Sequence, residues 1–151
     1  MSVKSGVVLK AISMGALLFM VLALVGLFLL NALFSPSPIA IGVQTAAVAL
    51  MVWARVTFGR RSFHAAADPT PGGLVTSGPY RFIRHPIYTA ACLFGWAGVF
   101  ANWSLVSALL GALLFAGALG RMLCEERLVA VLYPEYREYA LTTKRMVPYI
   151  F

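Results

Sequence analysis

Five side chains in this sequence have the types and spacing to act together. His85 and Tyr88 sit in the stretch Arg84-His85-Pro86-Ile87-Tyr88, and Arg121, Glu125 and Glu126 follow much later in the chain. The carboxylates can pair a cation, the guanidinium can grip an anion bidentately, and the aromatic rings offer a face to positive charge. Taken singly, each has a plainer reading. Arg121 and Glu125 are an i, i+4 pair, worth a few tenths of a kcal/mol on a surface helix. His85 can rest at the headgroup level of a bilayer, as Tyr80 and Tyr88 can. Arg81 and Arg84 can serve to set topology or to touch anionic lipid. What decides is whether the fold brings these groups to one place.

The elements that must do so are membrane helices. Residues 11 to 54 and 86 to 120 contain no Asp, Glu, Lys or Arg. A crossing needs roughly 20 apolar residues, so the first run is long enough for two and the second is a tight fit for two. Hydrophobic residues make up 61% of the chain and charged ones 11%, against about 25% charged in a soluble domain. A cleaved leader is not the expectation, given the length of the apolar run after Lys10 and the lack of a small-residue cleavage site. Cys92 and Cys124 stand alone, so neither a disulfide framework nor a metal site is expected. The net charge of +7 does not point to nucleic acid. All twelve Lys and Arg lie up to Lys10, in residues 55 to 84, or after residue 120, the clustering of loops retained on one membrane face.

These signals predict an all-α integral membrane protein, a single domain over residues 1–151. Four spans are expected, at about 7–34, 39–58, 86–101 and 104–123, with short helices in the tail. Ser35-Pro36-Ser37-Pro38 ends the first, because proline cannot continue a helix and disfavours helix before it. Arg60-Arg61 follows the second, and the turn-rich Asp68-Pro-Thr-Pro-Gly-Gly73 lies in the polar loop 59–85. Pro86 suits the first turn of the third span, and Asn102-Trp103 is the turn into the fourth. In the tail 124–151, Leu128, Leu132 and Tyr136 recur at near-helical spacing, and Pro134 should split the stretch into two short helices. The basic bias puts both termini, the loop and the tail in the cytoplasm, in what is expected to be a bacterial inner membrane. A very short turn makes spans three and four an antiparallel hairpin, which sets His85–Tyr88 beside Arg121–Glu126 at one mouth. Ionisable groups at that depth usually face a cavity.

Leu74-Val-Thr-Ser-Gly-Pro-Tyr-Arg-Phe-Ile-Arg-His-Pro-Ile-Tyr88, then Glu125-Glu126, Tyr136-x-x-Tyr139 and Arg145-x-x-Pro148, resembles the isoprenylcysteine carboxyl methyltransferase and phospholipid methyltransferase family. The resemblance covers about residues 55 to 151. It implies a membrane-embedded methyltransferase that uses S-adenosylmethionine, releases S-adenosylhomocysteine, and methylates a lipid-like acceptor. By the same resemblance Leu74, Val75, Tyr80, His85, Pro86, Ile87, Tyr88 and Glu125 contact the cofactor, and Arg121 faces the acceptor. Glu125 or Glu126 can pair the cofactor's ammonium, and His85 or nearby backbone N–H groups its carboxylate. The acceptor stays open between a carboxylate such as prenylcysteine, a phospholipid amine, and another small amphiphile. A nicotinamide-dependent membrane reductase and a non-enzymatic membrane partner are the competing readings.

The topology has a direct check. Reporter fusions after Phe34 and Asn102 should report the outer side, and fusions after Asp68 and Phe151 the inner side. A C-terminus on the outer side would overturn the expected site, since its cofactor is cytosolic.

Overall fold

The computed structural model describes residues 3–59 and 73–151, and its regular elements among them are all helical. They are α1 (Val3–Leu29), α2 (Pro38–Phe58), a 3-10 turn (Gly78–Arg81), α3 (Pro86–Ala101), α4 (Leu105–Leu132) and α5 (Tyr136–Thr142). Arg60-Arg61 and most of the Asp68–Gly73 turn lie outside the described residues. α1, α2 and α4 are long and apolar enough to cross a bilayer, and α3 is a shorter apolar helix. Their outer faces expose side chains such as Phe19, Leu22, Ile39, Val52 and Leu109, which only lipid would solvate favourably. The protein is an all-α integral membrane protein.

Two helix ends differ from the sequence expectation, each for a local reason. α1 stops at Leu29, before the proline pair. Asn31 takes a left-handed φ of 52°, which asparagine tolerates, and the N–H groups of Asn31 and Ala32 turn back to the carbonyls of Phe28 and Leu27. The helix is therefore capped by its own backbone, and the prolines serve to start α2, with Pro38 in its first turn. At the other end α4 does not stop near 123 but runs on to Leu132 as one 28-residue helix, about 42 Å at 1.5 Å per residue. That exceeds the roughly 30 Å of hydrocarbon, so its last turns project beyond the apolar layer. Pro134 then separates α4 from α5. α4 begins with a reciprocal cap: Ser107 N–H donates to Ser104 Oγ at 3.0 Å, and Ser104 N–H to Ser107 Oγ at 2.9 Å.

The four long helices alternate in direction. α3 and α4 do form the antiparallel hairpin, but each packs more extensively elsewhere, α4 on α1 and α3 on α2. Glycine explains the first of these. A Cβ on Gly117 would stand 2.8 Å from Ala16 O, so α4 meets the α1 backbone directly. Without a hydrophobic drive between helices in lipid, such close backbone approach is a main source of association. At the uncharged end Gln44 Nε2 donates to Leu33 O (2.7 Å) and Phe94 O (3.3 Å), and Asn102 Nδ2 donates to Phe34 O (2.9 Å). These bonds fasten the 30–37 turn under α3.

Gly98 is the sharpest consequence of that fastening. A Cβ there would sit 2.3 Å from Leu33 O and 2.6 Å from Ala32 O, both backbone atoms. Gly98→Ala gains up to about 1 kcal/mol of helix propensity, whereas overpacking against immovable backbone costs about 1–3 kcal/mol. The variant should unfold at lower temperature in detergent. Gly95→Ala meets only the movable Leu114 Cδ2, at 2.4 Å, and should be milder.

Candidate functional site

The site is built where the chain enters α3. Residues 73–76 run irregularly, with Leu74 and Val75 half-buried, into the 3-10 turn. Gly78 has φ 56°, and a Cβ there would stand 2.6 Å from Thr57 Oγ1, so the turn sits tightly on the end of α2. Tyr80 is buried with its ring 5.5 Å from that of Phe58, and its carbonyl accepts from Tyr139 Oη at 2.5 Å. Burial pushes the Tyr139 phenol up to about 12, against the opposing pull of Arg84, so it remains a donor at neutral pH. Burial also raises Tyr80 and Tyr136, with the charge of Tyr139 adding to the first and that of Glu126 to the second.

Past the turn, the chain is strapped to its own tail. Arg84 N–H donates to Lys144 O (2.7 Å) and His85 N–H to Arg145 O (2.9 Å), while Thr89 Oγ1 reaches Met146 O at 3.1 Å. Pro86 then opens α3, which aims Tyr88 at α4.

Around this strap the ionisable side chains fall into two groups, one on each carboxylate. Glu126 receives Arg84 Nε at 3.1 Å, His85 Nε2 at 3.3 Å, and a forked Arg145, with Nη2 at 2.9 Å and Nε at 3.1 Å from both oxygens. Arg84 Nη1 also donates to Ala140 O (3.0 Å) and to Thr143 O. Glu125 faces another way. Its Oε1 accepts from Tyr88 Oη and lies 3.2 Å from Arg121 Nε, which itself donates to Tyr88 Oη at 2.5 Å. Its Oε2 approaches His85 Nδ1 at 3.9 Å, beyond hydrogen-bond length. The Glu125 side chain is 24% exposed and that of Glu126 13%. Among the described residues Glu126 is thus saturated from within, whereas Glu125 keeps one oxygen open.

Arg121 is buried, and its Nη1 lies 3.5 Å from Ser13 O on α1. The i, i+4 pair with Glu125 is present, but as part of a buried triad with Tyr88. Of the residues singled out from sequence, the structure brings His85, Tyr88, Arg121, Glu125 and Glu126 together. Pro86 and Ile87 lie on the connecting turn of α3. Tyr80, Leu74 and Val75 flank the cluster, and no described hydrogen bond or ion pair joins their side chains to it. Sequence reasoning missed Ser13 and gave Arg145 no role. Ser13 carried a signal, as the lone polar residue of the run 11–30; Arg145 carried none beyond its place in the terminal motif.

Above the cluster, toward the bilayer, α1 and α2 flank an apolar groove of about 210 Å³ with α3 as its floor. Leu24, Ala47, Val48, Met51, Ala90, Ala91 and Phe94 line it. Ala91 is one helical turn from Tyr88 along α3, and none of the cluster's side chains lines the groove.

The unequal pairing of the two carboxylates gives a stability test. Glu126→Gln leaves Arg84 and Arg145 without their anion, and breaking a buried pair costs about 3 kcal/mol or more. Glu125→Gln removes the anion of one buried guanidinium, Arg121, and keeps an oxygen that accepts from Tyr88. Thermal unfolding in detergent should therefore fall for both variants and further for Glu126→Gln, which strands two guanidinium groups; a larger fall for Glu125→Gln would contradict the pairing.

With the cluster and groove described, comparison with known proteins adds the family. No curated protein and no solved structure matches the chain. The sequence model of the phospholipid methyltransferase family, however, matches residues 38–136, from the start of α2 through the paired glutamates to the first residue of α5. A membrane bundle that gathers its ionisable groups at one end is the setting such an activity needs, and the chain belongs to the phospholipid methyltransferase family.

Proposed function

We propose that the protein transfers a methyl group from S-adenosylmethionine to a lipid-like acceptor, at the cytoplasmic face of the membrane. The observation that carries this reading is Glu125, a carboxylate fixed by Tyr88 and Arg121 whose second oxygen faces only His85, at the charged end of the helix bundle.

The donor set fits the cofactor. Glu125 is the anion for its ammonium, Tyr88 presents a ring beside that anion, and the half-buried Leu74, Val75 and Ile87 supply apolar walls. When bound, adenosylmethionine would supply a methyl group on a sulfonium for in-line displacement, the carbon–sulfur bond breaking to a neutral thioether as the acceptor's lone pair forms the new bond. The protein's part is alignment and the exclusion of water, since charge is dispersed rather than created. Tyr88 and Arg121 hold Glu125 in one rotamer. The groove gives an acceptor's apolar tail a place beside α3, with its polar end toward Arg121. A carboxylate acceptor arrives as an anion and needs no base, and a guanidinium orients it bidentately. A phospholipid amine is the other acceptor class, favoured by the family's description, and must arrive deprotonated.

Incubating the purified protein with methyl-labelled adenosylmethionine and a whole-membrane lipid extract, then identifying the labelled product by mass, tests the reading and separates the two acceptors. Glu125→Ala should weaken adenosylmethionine binding by about 1.5–3 kcal/mol, the range for hydrogen bonds to charged groups. Arg127→Ala, on the exposed face of the same helix, should not. Arg121→Ala should leave affinity within about threefold, under 1 kcal/mol, while kcat/KM falls about a hundredfold. Arg121→Lys should rescue only part. Binding of a nicotinamide cofactor, or no labelled lipid with any extract, would overturn the proposal.

A further inference from the structure

His85 stands between the two carboxylates. Its Nε2 lies 3.3 Å from Glu126 Oε1, and its Nδ1 faces the open Glu125 Oε2 at 3.9 Å. An ionised carboxylate only accepts hydrogen bonds, so the contact with Glu126 calls for the proton on Nε2. In the neutral ring that leaves a lone pair on Nδ1. Two acceptors then face each other across a gap too wide for a bond between them, which is a place for a donor. What holds the proton on Nε2 is Glu126, and what keeps Glu126 in place is the strap. Arg145 grips both of its oxygens, Arg84 binds one, and the backbone bond from His85 N–H to Arg145 O fixes the turn itself.

We infer that Arg145 and Glu126 are positioning residues that hold His85 as its Nε2–H tautomer, so that His85 Nδ1 and Glu125 Oε2 form a pair of acceptors for one cationic N–H donor. Resting on the proposed function, the donor is the ammonium of adenosylmethionine. This departs from the sequence expectation in two ways. Glu126 acts through His85 rather than by touching cofactor, and His85 serves the ammonium rather than the carboxylate. It also gives a task to residues 143–146, which lie beyond the family match. The neighbouring charges agree with the assignment. The ring is flanked by Arg84 and Arg145 on the side of Glu126 and by Arg121 on the side of Glu125, so the donor enters where the one incompletely paired anion is.

Two measurements on the full chain in detergent test this, one of them without ligand. Ring-nitrogen NMR of the histidine-labelled protein, with His85 assigned by loss of its signals in His85→Ala, should show the Nε2–H tautomer. Arg145→Ala should move those signals toward a tautomer mixture, and Arg145→Lys, which keeps the charge but not the fork, should move them less. An imidazolium, the Nδ1–H form, or signals indifferent to Arg145→Ala would overturn the inference. Adenosylmethionine affinity then gives a double-mutant cycle. Arg145→Ala should weaken binding about tenfold, the low end for loss of a second-sphere partner, but less than about twofold once His85 is alanine. Equal losses in both backgrounds would mean a merely structural role for Arg145. Should the wild type bind no adenosylmethionine at all, the proposed function falls, and the ring-nitrogen signals alone decide the positioning role. Arg145→Lys replaces Arg145→Ala in both measurements if the alanine variant does not fold.

Discussion

Everything at the charged end depends on keeping one anion, Glu126, largely out of water. Removing a carboxylate from water costs several kcal/mol unless its lone pairs are met by good donors. Here they are met by two guanidinium groups and an imidazole, from two separate places in the chain. The charge thus ties the entry of α3, the late turns of α4 and the tail into one body. No apolar contact could specify this register so narrowly, because lipid solvates apolar faces as well as another helix does.

Consecutive residues on an α-helix point about 100° apart, and that angle divides the work of Glu125 and Glu126. Glu126 faces the strap and is saturated. Glu125 faces α3, where Tyr88 and Arg121 hold one of its oxygens and leave the other. A pair of adjacent carboxylates that looks redundant in sequence therefore supplies a fastener and a binding group. The division requires α4 to stay helical through both, which is why the helix runs past the hydrocarbon to Leu132.

Much of this architecture was legible in the sequence. The uncharged runs gave the helices, Pro86 and Pro134 gave two of their boundaries, and the short turn at Asn102-Trp103 gave the hairpin that joins His85–Tyr88 to Arg121–Glu126. The end of α1 was misplaced because a backbone cap with Asn31 in the left-handed region stops a helix without proline. The dominance of the α1–α4 and α2–α3 seams was not visible either. The first depends on which face Gly117 turns toward the α1 backbone, a matter of helix rotation that nearly uniform hydrophobicity does not encode. The role of Arg145 was hidden for a related reason: an arginine in a polar tail reads as a solvated charge until the tail is seen to fold back.

α1 precedes the family match, yet the site leans on it. Ser13 is fully buried and its carbonyl lies near Arg121 Nη1, while Ala16 and Met20 pack on Gly117 one turn away. An arginine at this depth would otherwise draw water or lipid headgroups into the bundle, because its charge is costly in hydrocarbon. Enclosed by α1 on one side and by Tyr88 and Glu125 on the other, it can stay ionised and still. The same helix forms a wall of the groove through Leu24. α1 therefore joins two requirements in one element: the electrostatic shielding of Arg121 at one end, and a wall of the apolar groove further along.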